Sequence, residues 1–251
     1  MYTVEELERL KEEEDSLTDE ELLVLLAALH ITLSELEKEI RLFFQRYGTD
    51  GVITFSEARK WISSKTHIRR LVFLNQTIST LFNAGFDDFE KLFTNHLTNI
   101  ITKESKFFGV ALDADDILNA VWGKDELNWL QRLMAHRTKW TNQLNFDLKV
   151  SVLKQDEILD VLKQMTKRGE SMETILKRLW RTESNAVSSI ARKQAYEKLG
   201  ITKYQFLHLD KCHCEECSDM DGRVFPVSEY EVGVTANPLH PNCRDITVPV
   251  K

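Results

Sequence analysis

Glycine and proline are scarce in this chain, at 9 and 4 of 251 residues. So few turn-formers argue against a sandwich or barrel of short strands and for long helices. Cysteine is as scarce as proline, and all four cysteines lie in one C-terminal stretch, CHCEECSDMDGRVFPVSEYEVGVTANPLHPNCRD. A bilayer-spanning run is also missing: the most apolar segment, Leu22 to Leu33, is too short to cross a membrane and carries His30. The N-terminus MYTVEELERL has neither a basic n-region nor an apolar h-region. No secretory leader is expected, so the cysteines are read in a reducing compartment. Excess positive charge is absent as well. A net charge of -7 excludes a fold whose whole surface coats nucleic acid.

What is present is an ordinary globular balance, 42% hydrophobic and 29% charged, in a chain long enough for a real core. The charge is uneven. Glu5 to Leu22 is strongly acidic, whereas a basic set runs from Lys177 to Lys211. Its members Lys177, Arg178, Arg181, Arg192, Lys193, Lys198 and Lys203 are the candidates for contact with nucleic-acid phosphates; the alternative is a solvated helix surface.

Apolar residues recur at helical spacing over most of the chain. Thr18 with Glu21, and Thr32 with Glu35, fit capping boxes, and Gly48 fits a stop after Tyr47. Tyr47 to Ala58 imitates a calcium loop, but Arg46 and Gly48 fall where oxygen ligands are required, so a turn is expected, with Ser56 capping the next helix. The pattern from His67 to Ser105 predicts two helices broken near Ala84-Gly85. Asp113 should cap a short helix whose acidic first turn holds Asp115 and Asp116. Asp125 to Lys167 reads as helical, with Trp122, Trp129 and Trp140 in or near the core. Gly169 should break that helix, Ser171 start another, and Gly200 end the helical region. Tyr204 to Asp210, Arg223 to Val227 and Ile246 to Val250 are strand-like. The expected fold is mainly α: a long helical body over residues 1–168 and a small α+β module over 169–251 that carries the Cys/His cluster.

In that module Cys214-x-x-Cys217 and His240-x-x-Cys243 each offer two soft ligands from one tight turn. A tetrahedral Cys₃His site follows naturally, and thiolate and imidazole suit zinc. Four protein ligands leave no open position, so such a site is structural, replacing a core that a short polar segment lacks. Cys212 and His213 are spare and compete as ligands. Reduced thiols held by packing, or a disulfide, remain the alternatives. A metal-dependent nuclease or hydrolase would use His240 with Asp219 and Asp221, but no helix is expected after His240 to complete it.

The order WRTES, AYEKLGITKYQFLHLD, CEECSDMDGRVFPV, NPLHPNCRD resembles the head morphogenesis proteins of tailed bacteriophages, the Mu F-protein type of minor head (minor capsid) protein. The residues that carry the resemblance are Arg181, Thr182, Glu183, Gly200, Ile201, Asp210, Cys214, Cys217, Asp221, Gly222, Arg223, Val224, Phe225, Pro238, His240, Pro241, Cys243 and Arg244. One departure is Asp245, where the family usually has a further cysteine or similar residue. The resemblance implies a virion protein of the capsid interior near the portal, in the host cytoplasm during assembly. Its implied partners are the portal protein, scaffold or major capsid protein and, in some members, packaged double-stranded DNA with which it leaves at ejection; no membrane is involved. It transfers no catalytic residues and implies no enzyme. Within the Arg181-Thr182-Glu183 group, Thr182 is expected as a helix N-cap and Arg181 as the partner of a carboxylate.

Overall fold

The structure, a computed structural model, describes residues 2–53, 65–209 and 214–250, with side chains for these except 65–71. Ser56, Asp210, Lys211, Cys212 and His213 lie outside the described residues. The elements in order are α1 (Val4–Tyr47), α2 (Lys65–Phe108), α3 (Ala114–Asn119), α4 (Trp129–Lys154), α5 (Ile158–Lys198), β1 (Lys203–Leu207), α6 (Glu215–Met220), β2 (Val224–Pro226) and β3 (Ile246–Val250). The fold is mainly α with a small sheet at the C-terminal end, as the scarcity of turn-formers and the late strand-like segments require. The sheet has the order β2-β1-β3, and both pairings with β1 are antiparallel.

The chain packs as two compact units. One comprises Met1–Leu23, Lys91–Arg132 and Leu176–Lys251; the other comprises Val24–Glu90 and Leu133–Ile175. The unit boundaries fall inside long helices. The division at 168–169 expected from the sequence likewise lies inside α5, which runs unbroken through Gly169.

Three other helix ends expected from the sequence are absent. α2 continues through Ala84-Gly85, and α1 continues through Thr18 and Thr32. The physical reason is local in each case. A Cβ on Gly85 would stand 2.4 Å from Thr32 Oγ1, and one on Gly169 would stand 2.8 Å from Leu33 Cδ1. Both glycines let a helix approach α1 closely; neither ends a helix. The Thr18 and Thr32 hydroxyls donate back to the carbonyls of Glu14 (2.7 Å) and Ala28 (3.0 Å), the usual bonding of a threonine inside a helix. The box that does cap α1 is Thr3 with Glu6: the Thr3 amide donates to the Glu6 carboxylate (2.8 Å) and the Glu6 amide to the Thr3 hydroxyl (3.2 Å). Asp113 caps α3 as expected, accepting from the Asp116 amide.

In the second unit the core is an apolar stripe at i, i+3/i+4 spacing, including Ile40, Phe44, Phe82, Phe86, Leu144 and Leu148. In the first unit α5 is packed on all sides: every residue from Thr182 to Ser189 is buried. Tyr196 and Tyr230 pack with the strand residues Tyr204, Ile246 and Val248 in one apolar cluster. Their hydroxyls stay bonded, Tyr196 to the Thr247 carbonyl (2.9 Å) and Tyr230 to Ser189 (2.8 Å) and Thr247 Oγ1 (2.9 Å).

Candidate functional site

Four segments of the first unit converge on one thiol. Cys214 precedes α6 and Cys217 lies on it, fully buried. His240 and Cys243 come from a turn closed by the Cys243 amide on the His240 carbonyl (3.1 Å). His208 follows β1, and Asp245 precedes β3. Cys217 Sγ is 3.1 Å from His240 Nε2 and 3.8 Å from Cys243 Sγ. Cys214, Cys217 and His240 place their donor atoms within 4.8 Å of one another, and so do His208, Cys217 and Asp245. Of the four residues expected as ligands, Cys214, Cys217 and His240 form one group, and Cys243 adjoins it through Cys217.

Sequence reasoning missed His208 and Asp245. The Asp245 carboxylate accepts from the Leu209 amide (3.0 Å) and the Cys243 thiol (3.3 Å), and lies 2.9 Å from His208 Nδ1. Its position was the only signal: it stands where the resemblance leads one to expect a further cysteine. Asp221 is occupied elsewhere, accepting from the His208 amide (2.9 Å), and so ties the turn before β2 to the end of β1.

The donor set suits zinc. Zinc–thiolate bonds of about 2.3 Å in a tetrahedron set two sulfurs roughly 3.8 Å apart, the separation found between Cys217 and Cys243. The arrangement does not suit a nucleophile. The Cys217 thiol is pushed far up by its hydrogen bond with Cys243, then by burial and by Asp245, so it holds its proton. Cys214, Cys217 and Cys243 are all free thiols.

The cluster is fastened to α5. Asn185 Nδ2 donates to the Cys243 carbonyl (2.7 Å), and its Oδ1 accepts from Asn237 (2.8 Å) and Lys11 (3.1 Å). The Asn242 amide donates to Thr182 Oγ1 (3.1 Å). Thr182 is thus no N-cap: it lies inside α5, donates to the Arg178 carbonyl (2.6 Å) and holds the cysteine turn. Arg181 pairs with a carboxylate as expected, that of Asp19 (3.0 Å). Glu183 accepts from Arg132 (3.0 Å) and from the Trp122 indole (3.0 Å), with the Arg132 guanidinium 4.2 Å above the Trp122 ring. Burial pushes the Glu183 carboxyl up against the opposing pull of Arg132.

Arg192 leaves the basic set. It is fully buried, its Nε donates to Glu104 Oε1 (2.7 Å), and Glu14 Oε2 is 3.5 Å from its Nη2, so it meets no phosphate. Arg178, Lys198 and Lys203 are exposed, and Lys177, Arg181 and Lys193 are partly so. Lys198 also donates to the Ala111 carbonyl (2.6 Å). The acidic segment is likewise partly internal. Glu14 is buried, and Asp15 pairs with Lys11 (3.2 Å). Glu5, Glu6, Glu13 and Glu20 stay exposed.

A second constellation has the distances of a catalytic triad. Ser184 Oγ is 2.7 Å from His96 Nε2, and His96 Nδ1 is 2.6 Å from Glu21 Oε2. The serine hydroxyl, however, donates to the Trp180 carbonyl (2.7 Å), and the cavity it lines holds about 10 Å³, no more than one water. The imidazole stacks on Trp180 at 4.2 Å. This is a buried polar tie between helices, with no room for a substrate.

Fold and cluster together define a long-helix protein whose C-terminal end is a small sheet closed by a Cys/His/Asp knot. Residues 143–248 match the model of a family described as Phage Mu protein F like protein. Over that segment, less than half of the chain, the resemblance carried by the motifs holds, and it is to a family of structural head proteins of bacteriophages. No curated protein matches the chain, and no solved structure matches it. Among the described residues no helix is long and apolar enough to cross a membrane.

Proposed function

We propose that the chain is a minor head protein that acts in procapsid assembly beside the portal, in the virion interior. The observation that carries this reading is the family match over 143–248, which includes β1, β2, β3 as far as Val248, and the Cys/His cluster. Its helical body meets portal, scaffold or major capsid protein, and the exposed acids Glu5, Glu6 and Glu13 are the docking face for a basic partner surface. Zinc held by Cys214, Cys217, His240 and Cys243 would staple the C-terminal module, with Asp245 and His208 orienting the cluster from behind. The residual basic set, Lys177, Arg178, Arg181, Lys193, Lys198 and Lys203, contacts packaged duplex DNA by salt-sensitive, sequence-independent pairing, and through it the protein influences ejection.

The test is co-expression with the cognate portal, scaffold and major capsid proteins, followed by sedimentation. The chain should travel with portal rings, and with procapsids only when portal is present. Equal incorporation into portal-less procapsids refutes the portal assignment. The enzymatic alternative is tested on the same preparation: divalent-metal-dependent plasmid cleavage that disappears in His240→Ala would replace the assembly reading with a nuclease.

A further inference from the structure

Two motif arginines that the cluster does not use converge on one carboxylate. Arg181 is on α5, and Arg244 follows the cysteine turn. Arg181 Nη2 and Nε reach Asp19 Oδ1 at 3.0 and 3.2 Å, and Arg244 Nη2 reaches Asp19 Oδ2 at 3.8 Å. Each carboxylate oxygen thus faces a different guanidinium, as the two non-bridging oxygens of a phosphodiester would. The backbone behind the pair is held: the Asn242 amide is bonded to Thr182, and the Cys243 carbonyl to Asn185. The pair itself is open to solvent, with side-chain exposures of 37% for Arg181, 35% for Arg244 and 49% for Asp19. Ion pairs this exposed contribute little to stability, so the arrangement is easily exchanged. Asp15, the partner of Lys11, also faces this pair: its Oδ2 is 3.9 Å from Arg244 Nε and has no hydrogen bond among the described residues.

We propose that Arg181 and Arg244 form a phosphate-binding site that Asp19 occupies in cis, and that the backbone of duplex DNA displaces Asp19 from it. The inference rests on the DNA contact proposed above and supplies it with a site and a built-in competitor. DNA is favoured over an acidic protein segment because Arg178, exposed on α5 one turn before Arg181, extends the cations into a row. A row suits a polyanion with regularly repeated charges.

The experiment is fluorescence anisotropy of a short labelled duplex titrated with the full chain over a salt series. Folding of each variant is checked by circular dichroism. Asp19→Asn should bind about fivefold more tightly than wild type at low salt, with a salt slope steeper by about 1, the signature of one added phosphate contact. Arg181→Gln/Arg244→Gln in that background should abolish the gain. Glu20→Gln, which removes the same charge next door, should leave binding at the wild-type level. Salt-dependent wild-type binding that Asp19→Asn does not change overturns the cis-occupied site while leaving the DNA contact standing. A gain shared equally by Glu20→Gln, or one that survives loss of both arginines, reduces the effect to net charge and overturns the site. Absence of duplex binding by every variant overturns both readings. If the arginine pair is then still needed to capture portal protein, its ligand is a protein carboxylate and not DNA.

Discussion

Arg192 is where the packing makes its strongest demand. Its side chain has 0% exposure, and so does that of Glu104, whose Oε1 accepts from Arg192 Nε at 2.7 Å. Ser188 bridges the two acids, its Oγ 2.7 Å from Glu104 Oε1 and 3.0 Å from Glu14 Oε2. Burial, and then the Glu104 charge, push the Glu14 carboxyl up to about 8, so at neutral pH it keeps its proton. The knot then holds one cation, one anion and one neutral acid. Arg192→Met removes the cation and leaves the Glu104 carboxylate buried with a single hydroxyl, which costs about 3–5 kcal/mol. With a urea m-value of about 2–3 kcal/mol/M, the midpoint should fall by about 1–2 M. Glu14→Gln, which mimics the protonated acid, should cost less than about 1 kcal/mol at pH 7. Replacing the whole knot, as Glu14→Leu/Glu104→Met/Arg192→Met, should recover most of the loss or exceed wild type. Arg192 Nη1 and Nη2, Glu14 Oε1 and Glu104 Oε2 have no hydrogen-bond partner among the described residues, so the charges are imperfectly compensated as they stand. A loss under about 1 kcal/mol for Arg192→Met alone would refute the reasoning, because it would mean that the site admits water.

Four further outcomes follow from the same geometry. Because the folded Glu14 carboxyl is raised, its contribution is full below the unfolded value near 4.5 and is lost as pH rises through about 8; Glu14→Gln should flatten the decline in melting temperature over that window. His96 acts in the opposite sense. Burial lowers its folded value below 6.5, so stability present above that pH is lost on acidification, and an NMR titration should show its ring still neutral where exposed histidines have charged. Gly85→Ala should destabilise by about 1–3 kcal/mol despite alanine's better helix propensity, and Thr32→Ala in the same chain should relieve most of that, a coupling read from a double-mutant cycle. Elemental analysis of the reduced protein should find about one zinc per chain, lost in Cys214→Ser together with protease resistance of the C-terminal module; a metal-free wild type with all thiols titratable would show that packing alone holds the cluster.

What the sequence determined by itself is what depends on neighbours along the chain. The scarcity of glycine and proline required long helices, period-two segments after Gly200 became β1, β2 and β3, and Asp113 capped α3, because capping and strand patterning are local. The paired spacings of Cys214/Cys217 and His240/Cys243 were legible for the same reason, since each pair is a single turn of chain. What only the tertiary structure decided is whatever depends on residues remote in sequence. Gly85 and Gly169 read as helix breaks until Thr32 and Leu33 are seen packed against them; Thr182 read as a cap until Asn242 is seen bonded to it. Arg192 looks like a surface cation in a row of cations, and only the folded chain brings Glu14 and Glu104, from two other helices, to bury it. Asp245 and His208 carry no mark in sequence either, because a carboxylate and an imidazole become a support for Cys217 and Cys243 only when the ends of two adjacent strands set them side by side.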